Sequence, residues 1–353
     1  MKKVIVTGGT GFIGSHTVVE LLQRGYDVIV ADDLSNSKAS VIDRIADITG
    51  ERPILEVVDL SDRTACLRFF KMHSDADAVI HFAAAKAVGE SVLNPLHYYR
   101  NNLDSLLYVL EGMEKAGCRK LVYSSSCTVY GQPEHLPVTE DTPRQPATCP
   151  YANTKRVSED ILADMVRGYE VGKQKGTLEA DYKPWKILAL RYFNPIGAHP
   201  SALIGELPNG VPNNLMPYIT QTAAGLRPCL QVFGDDYNTP DGTPIRDYIH
   251  VCDLADAHVA AMEYMDKNGF EGMDYFNLGA GHGYSVLEVI QSFERSTGQK
   301  LNYKIAARRE GDIEQIWADA GKANRLLGWE AKRTLDEMTL SAWKWQENLS
   351  KKI

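Results

Sequence analysis

At 353 residues, with 44% hydrophobic and 24% charged residues, the chain has the balance of an ordinary globular protein and enough length for roughly two domains. A formal net charge of −8 offers no attraction to nucleic acid or to an anionic membrane, and the sequence has neither a charged-then-apolar leader nor an apolar run of about eighteen residues; a cytoplasmic protein is expected. Six cysteines (Cys66, Cys118, Cys127, Cys149, Cys229, Cys252) with no C-x-x-C pair read as reduced thiols, and the nine histidines do not cluster, so no metal is assigned.

The chain opens with a β-branched run, Val4 to Val6, of the kind buried in a parallel sheet. Gly8, Gly11 and Gly14 follow at once and lead into an amphipathic pattern with Ile13, Val18, Leu21 and Leu22 on one face, which stops at Gly25. This is strand, turn, helix. One glycine supplies positive φ in the turn, one lets a phosphate approach bare backbone, and one packs helix against strand. The free N–H groups of Phe12, Ile13 and their neighbours, at the positive end of the helix, would hold a pyrophosphate. A second strand, Asp27 to Ala31, ends at Asp32, about twenty residues past the glycines, where a carboxylate can accept both hydroxyls of an adenine ribose. Asp32 and Asp33 are both acidic with no arginine close behind, which repels a 2′-phosphate and favours NAD over NADP.

Further strands at Ile54 to Val58, Ala78 to Phe82, Leu121 to Ser125 and Ile187 to Leu190 alternate with helical segments up to Phe193. Strands alternating with helices imply crossovers of one hand, hence an α/β fold with a Rossmann-type doubly wound parallel sheet and a ligand crevice at its carboxyl edge. On that edge Asp59 and Leu60 fall where an adenine would lie, and Phe82, Ala83, Ala84 and Lys86 where the middle of a dinucleotide passes. Two long amphipathic helices, Leu96 to Ala116 and Tyr151 to Tyr169, pack on the sheet, with outer faces that could pair with a second copy. The polar run Gly168 to Lys183 reads as a surface excursion.

After Phe193 the pattern changes. Asn194 to Asn214 is rich in Pro, Gly and Asn, as a loop shaped around a ligand would be. Beyond it lie short strands (Leu230 to Phe233, Ile245 to Val251, Tyr275 to Leu278, Leu301 to Ile305). Helices follow at Asp253 to Met265, Ser285 to Thr297 with a Ser285/Glu288 capping box, Asp319 to Leu327, and Leu335 to Leu349. Residues 1–193 are therefore read as the NAD-binding domain and 194–353 as a second, smaller α/β substrate domain, with part of 244–266 a candidate to return to the first.

The chemistry is expected where Ser124-Ser125-Ser126 ends a strand and Tyr151 and Lys155 follow, four residues and one helical turn apart. A phenol titrates near pH 10, but a nearby ammonium and the positive charge of oxidised nicotinamide both favour its phenolate. Ser126 would hold a substrate hydroxyl in a proton path to Tyr151. The result is a base that takes a proton from an alcohol whose carbon gives hydride to NAD.

TGGTGFIG, the serine-rich SSSCTVYG and YANTK resemble the extended short-chain dehydrogenase/reductase family. RYFNPIGAHPS, PNNLMPYI, IRDYIHVCDLADAH, NLGAG and RREGD resemble the branch of it that epimerises UDP-hexoses at C4, and the likeness runs over nearly the whole chain. The resemblance implies an NAD that stays bound, UDP-galactose and UDP-glucose interconverted through a 4-keto sugar, and a homodimer formed through the two long helices. Position by position it implies cofactor contacts at Phe12, Ile13, Asp32, Asp33, Leu34, Ser35, Asn36, Ser37, Asp59, Leu60, Phe82, Ala83, Ala84, Lys86, Asn101, Lys155 and Phe193. Ser126 and Tyr151 match the proton relay and touch both cofactor and substrate, as Lys86 does. Asn194, Asn214, Leu215, Arg246, Arg309 and Asp312 match contacts to the nucleotide sugar. The arginines are planar donor forks suited to a diphosphate, and the amides suit its oxygens and sugar hydroxyls. Ile316 aligns where relatives differ between tyrosine and a smaller residue, which implies poor use of N-acetylated sugars. Two other readings stay open. A nucleotide-sugar 4,6-dehydratase shares the fold but needs an added acid and base where this chain has Cys127 and Thr128, and a non-catalytic NAD-binding sensor would be free to lose Tyr151 or Lys155.

Overall fold

Val4, Ile5 and Val6 are fully buried, as a central parallel strand requires, in the computed structural model, which describes residues 2–178, 182–267, 269–309 and 312–351. The first elements are β1 (Lys3–Thr7), α1 (Phe12–Gln23), β2 (Asp27–Asp32), α2 (Val41–Thr49), β3 (Ile54–Val57), α3 (Arg63–Met72) and β4 (Ala78–His81). Two short helices, α4 (Val88–Leu93) and α5 (Pro95–Tyr99), run through a wide π turn at Arg100–Asp104 into α6 (Ser105–Ala116). Then come β5 (Lys120–Ser126), α7 (Pro150–Lys175), β6 (Lys186–Tyr192), β7 (Asn194–Ile196), α8 (Leu215–Ala223), β8 (Leu230–Phe233), β9 (Ile245–His250) and α9 (Val251–Lys267). The chain finishes with β10 (Gly272–Leu278), β11 (Gly283–Ser285), α10 (Val286–Thr297), β12 (Tyr303–Ala306), β13 (Gln315–Ile316), α11 (Gly321–Leu327) and α12 (Leu335–Ser350).

Seven strands form one sheet in the order β10-β6-β5-β4-β1-β2-β3, every neighbouring pair parallel. Helices α1, α2 and α9 bury their apolar stripes on one face, and α3, α6 and α7 on the other. The strand order reverses between β1 and β4, which opens a crevice at their carboxyl ends. Rossmann-type winding is thus the observed architecture. A smaller layer is built around β9, flanked by β11 and β13 and paired with β7, together with the parallel pair β8 and β12. Helices α8, α10 and α12 close its core, and capping boxes at Ser285/Glu288 and Thr334/Glu337 start two of them.

Three elements differ from the sequence reading. Tyr275 to Leu278 belongs to β10, on the edge of the large sheet, where Phe276 and Leu278 become fully buried beside β6. Without it the open edge of β6 would expose unpaired backbone groups. Helix α9 returns with it and packs in the same apolar cluster as α1, so residues 251–267 and 272–278 lie with the first layer. Second, α7 runs on to Lys175 and stops at Gly176, φ +65, so the polar run after Gly168 begins as a solvent-facing helix; residues 179–181 lie outside the described ones. Third, the π turn interrupts the helix expected over 96–116 and turns Asn101 and Asn102 inward.

Candidate active site

Two glycines at the crevice are required by packing. Gly8 has φ +67, and a Cβ there would stand 2.9 Å from the Ala83 amide nitrogen; one at Gly14 would stand 2.2 Å from the Gly8 carbonyl oxygen. Gly11 is the N-cap of α1 and has no side chain to cap with, and the first intrahelical bond runs from Ser15 N–H to the Gly11 carbonyl. The amides of Phe12 and Ile13 therefore lie at the positive end of the helix, free of a side-chain cap. Asp32 locks onto the same turn. Its carboxylate accepts from Thr10 N–H (3.1 Å), Leu34 N–H (3.0 Å) and the Ser37 hydroxyl (3.1 Å), and Ser37 in turn meets Thr10. Asp33 accepts from the Ser35 amide and hydroxyl, Asp59 does the same with Ser61, Asn36 is exposed, and Leu60 is buried. Backbone and short side chains hold this edge in one shape.

Next to it, the stretch after β4 is tied down by an amide that sequence reasoning passed over. Asn102 accepts from Ala85 N–H (2.8 Å) and donates to the Ala85 carbonyl (3.0 Å) and to Thr154 Oγ1 (3.1 Å); Asn101, singled out instead, donates to Asn102 (3.0 Å). A pair of asparagines breaking an apolar helical pattern was the available signal.

Ser126, at the end of β5, meets Tyr151 in the first turn of α7. The Ser126 oxygen accepts from Thr128 N–H (3.3 Å) and its hydroxyl (3.0 Å). Lys155 is buried. Its Nζ donates to the Ser124 carbonyl at 2.6 Å and lies 5.0 Å above the Tyr123 ring. Burial lowers the Lys155 ammonium from 10.5 to about 7, with Glu159, one turn on, pulling it back up. Burial also pushes the Tyr151 phenol up, assisted by Tyr192, while Ser126 pulls it down. The expectation that Lys155 draws the phenol toward neutrality is thus not met by the chain's own groups, because desolvation dominates at both.

Beneath the site Glu159 accepts from the Ser125 hydroxyl (2.6 Å) and from Arg191 Nε (2.9 Å) and Nη2 (2.8 Å), all of them buried. This pair fastens α7 to β5 and β6. Leaving either charge alone would be far costlier than losing both. Neither residue stood out in the sequence, since both lie on elements read as packing.

On the opposite wall, Asn214 precedes α8 and donates to Glu206 (2.6 Å), Leu215 opens that helix, and Asn194 starts β7. Arg246 on β9 already has its donors engaged. Nη2 pairs with Asp312 and donates to the Ile313 carbonyl (2.6 Å); Nη1 donates to the carbonyls of Ile245 (2.8 Å) and Glu314 (3.3 Å). Arg309 stacks 4.6 Å over Phe233. Residues 310–311 lie outside the described ones. Phe193 and Ile316 are both buried in one cluster with Val129, Tyr130 and Val138. Asp247, also missed, accepts the amides of Ala280 (2.7 Å), Gly281 (3.1 Å) and Ala318 (3.1 Å), which explains why NLGAG needs its glycine: a Cβ at Gly279 would stand 2.2 Å from that carboxylate. Among the described residues no three His, Cys, Asp or Glu gather as a metal site would require, and no helix is long and apolar enough to cross a membrane.

A family model described as the NAD dependent epimerase/dehydratase family matches residues 4–279. The chain is 51% identical over 345 residues to a UDP-glucose 4-epimerase of Bacillus subtilis, covering 98% of this chain and 97% of that one. Among solved structures, a UDP-glucose 4-epimerase from Stenotrophomonas maltophila with bound NAD and formylated UDP-arabinopyranose superposes with TM-score 0.92 at 48% identity, covering both chains fully. One from Bifidobacterium longum in complex with NAD+ and UDP gives 0.90 at 47% identity, again over both full lengths.

Proposed function

The chain belongs to the NAD dependent epimerase/dehydratase family, and from that premise we propose that it interconverts UDP-galactose and UDP-glucose by NAD-dependent oxidation and re-reduction at C4, through a 4-keto sugar. The observation that carries this is the buried Lys155, one helical turn from Tyr151, whose Nζ is held on the Ser124 carbonyl two residues before Ser126, on the edge formed by the glycine turn. The residues fit the cofactor: the uncapped start of α1 suits a pyrophosphate, and Asp32 with Asp33 to Ser37 suits the adenine ribose. Asp59 and Leu60 would flank the adenine, and Phe82 to Ala84, Lys86, Asn101, Lys155 and Phe193 the remainder. Bound NAD supplies the acceptor and donor of hydride.

The chain's own residues move the proton. Tyr151 accepts the proton of the sugar 4-hydroxyl, with Ser126 bridging the two oxygens, and returns it to the same oxygen when the carbon is reduced on its other face. Lys155, with a pKa of about 7, can hold or release a proton behind them. Asn194, Asn214, Leu215, Arg309 and Asp312 line the nucleotide sugar, and Arg246 exchanges Asp312 and carbonyl oxygens for diphosphate oxygens. Elimination chemistry is not favoured. Burial pushes the Cys127 thiol up to about 12, and the Thr128 hydroxyl is bound to Ser126, so neither serves as the dehydratase acid or base.

Residues up to 193, with the returning residues 251–267 and 272–278, form the NAD side in this reading, and the remainder the sugar side. Ile316 is buried at the position the resemblance ties to an N-acetyl group at C2, and on that basis UDP-N-acetylgalactosamine is expected to turn over poorly and Ile316→Ala to improve it. The exposed apolar residues Val88, Val92, Leu93, Leu96 and Leu107 on α4 to α6 suit burial against a second copy, which light scattering at micromolar concentration tests. Its six free cysteines suit a reducing cytoplasm. The decisive experiment incubates the purified protein with UDP-galactose, without and then with added NAD, and follows UDP-glucose by proton NMR. A stable mixture with no reduced product supports the proposal; no UDP-glucose under either condition overturns it.

A further inference from the structure

Glu206 is left without a role by the reading above, yet it stands between two residues assigned to the substrate. Its side chain is 10% exposed, and one carboxylate oxygen, Oε1, accepts from both Lys86 Nζ (3.2 Å) and Asn214 Nδ2 (2.6 Å). Its place is fixed from behind. The Glu206 carbonyl accepts from Trp345 Nε1 of α12 at 3.0 Å, and Gly205 lies so close to the same indole that a Cβ would stand 2.5 Å from the ring. The backbone leading to Lys86 is held as well, because both backbone groups of Ala85 are bonded to Asn102, which donates to Thr154, three residues past Tyr151, while the Lys86 side chain itself is half-exposed. The carboxylate thus lies between two residues assigned above to the substrate, one of them following the stretch that Asn102 ties to the Tyr151 helix, which in the proposed reading is the hexose end of the cleft. The diphosphate is assigned above to Arg246 and Arg309, on other elements.

An ammonium alone at that end would attract any sugar bearing a negative group. Paired with Glu206 it does not: the pair is neutral overall, and the carboxylate oxygens it presents suit hydroxyls as donors and repel anions. We infer that Glu206 is a specificity-determining residue that confines the hexose end to uncharged sugars and rejects nucleotide sugars carrying a carboxylate on the hexose, the UDP-hexuronates. The inference rests on the proposed function.

The test measures the Kd of UDP-glucuronate by calorimetry beside that of UDP-glucose. It compares the wild-type protein with Glu206→Gln, which keeps an oxygen acceptor for Asn214, with Lys86→Met, and with the double variant. Glu206→Gln is expected to tighten UDP-glucuronate relative to UDP-glucose at least about tenfold, a modest share of the interaction of two like charges in a partly screened cleft. Lys86→Met, with the carboxylate intact and unpaired, weakens it further by a similar factor, and the double variant loses the gain. An unchanged ratio in Glu206→Gln, or a gain that survives removal of Lys86, overturns the inference; if Glu206→Gln fails to fold, an unchanged ratio in Lys86→Met does so instead. Wild-type turnover of UDP-galactose, run alongside, separates the two failures, since its absence overturns the proposed function and its presence leaves only the role of Glu206 in question.

Discussion

In the proposed reading the two walls of the cleft would recognise by different means. On the nucleotide side the groups are backbone amides and a carboxylate, Asp32, held by one donor from the glycine turn and two from the loop after β2. On the sugar side they are long side chains already occupied with one another, Arg246 by Asp312 and three carbonyls, Lys86 and Asn214 by Glu206. A preformed site loses little conformational freedom on binding, whereas one that must exchange partners gains only the difference between old and new bonds. The first suits a cofactor that stays, the second a substrate that must leave after every turn.

Four measurements would break or sharpen that difference. Tyr151→Phe stands between the walls and belongs to neither: kcat is expected to fall by about 10²–10⁴-fold while co-purifying NAD, read from the absorbance of the released nucleotide, stays constant. Loss of NAD as well would mean that the nucleotide side is not independently formed. Gly14→Ala places a Cβ 2.2 Å from a carbonyl oxygen and should cost about 1–3 kcal/mol in urea unfolding, with NAD lost on gel filtration. Retention of both would show that the turn can give.

Arg246→Leu should raise KM for UDP-galactose about tenfold or more with NAD content unchanged, since its bonds to substrate are lost together with those that brace 312–314, both on the sugar side. An unaltered KM would assign Arg246 solely to bracing 312–314. The smallest effect concerns Lys155. Its pKa in the folded chain, about 7, lies below the ordinary 10.5, so between those values the unfolded chain holds more protons and stability rises with pH; below about 7 the penalty is complete. Lys155→Met should therefore be more stable than wild type near pH 7, with the advantage shrinking as pH approaches 10. An advantage independent of pH would mean that the buried amine stays charged.

Legibility in the sequence followed the range of the interactions. The glycine turn and Asp32 could be read because their spacing is a property of one strand, one turn and one helix, and Tyr151 and Lys155 because four residues make one helical turn. What escaped depends on partners far along the chain. Tyr275 to Leu278 has the same apolar look in either sheet, and only the open edge of β6 decides where it pairs. Arg246 could be singled out from its motif, but its saturation by 312–314 comes from β13 lying beside β9. Glu206 offered no pattern at all: one acid in a loop of Pro, Gly and Asn acquires meaning only when Lys86 and Asn214 arrive on either side. The helix beyond Gly168 was missed because it is mostly polar and exposed, with only Tyr169 reaching the core, which leaves periodicity little to report.

The indole of Trp345 has a further consequence, one of timing. It fixes the carbonyl of Glu206 from 139 positions downstream, in the last helix, whereas the turn that suits NAD is closed by residues between Gly8 and Ala83. Domains begin to fold from the N-terminal end as they are synthesised. The glycine turn is thus synthesised well before the indole that fixes Glu206, but the sheet behind that turn is complete only once β10, residues 272–278, has emerged to cover β6.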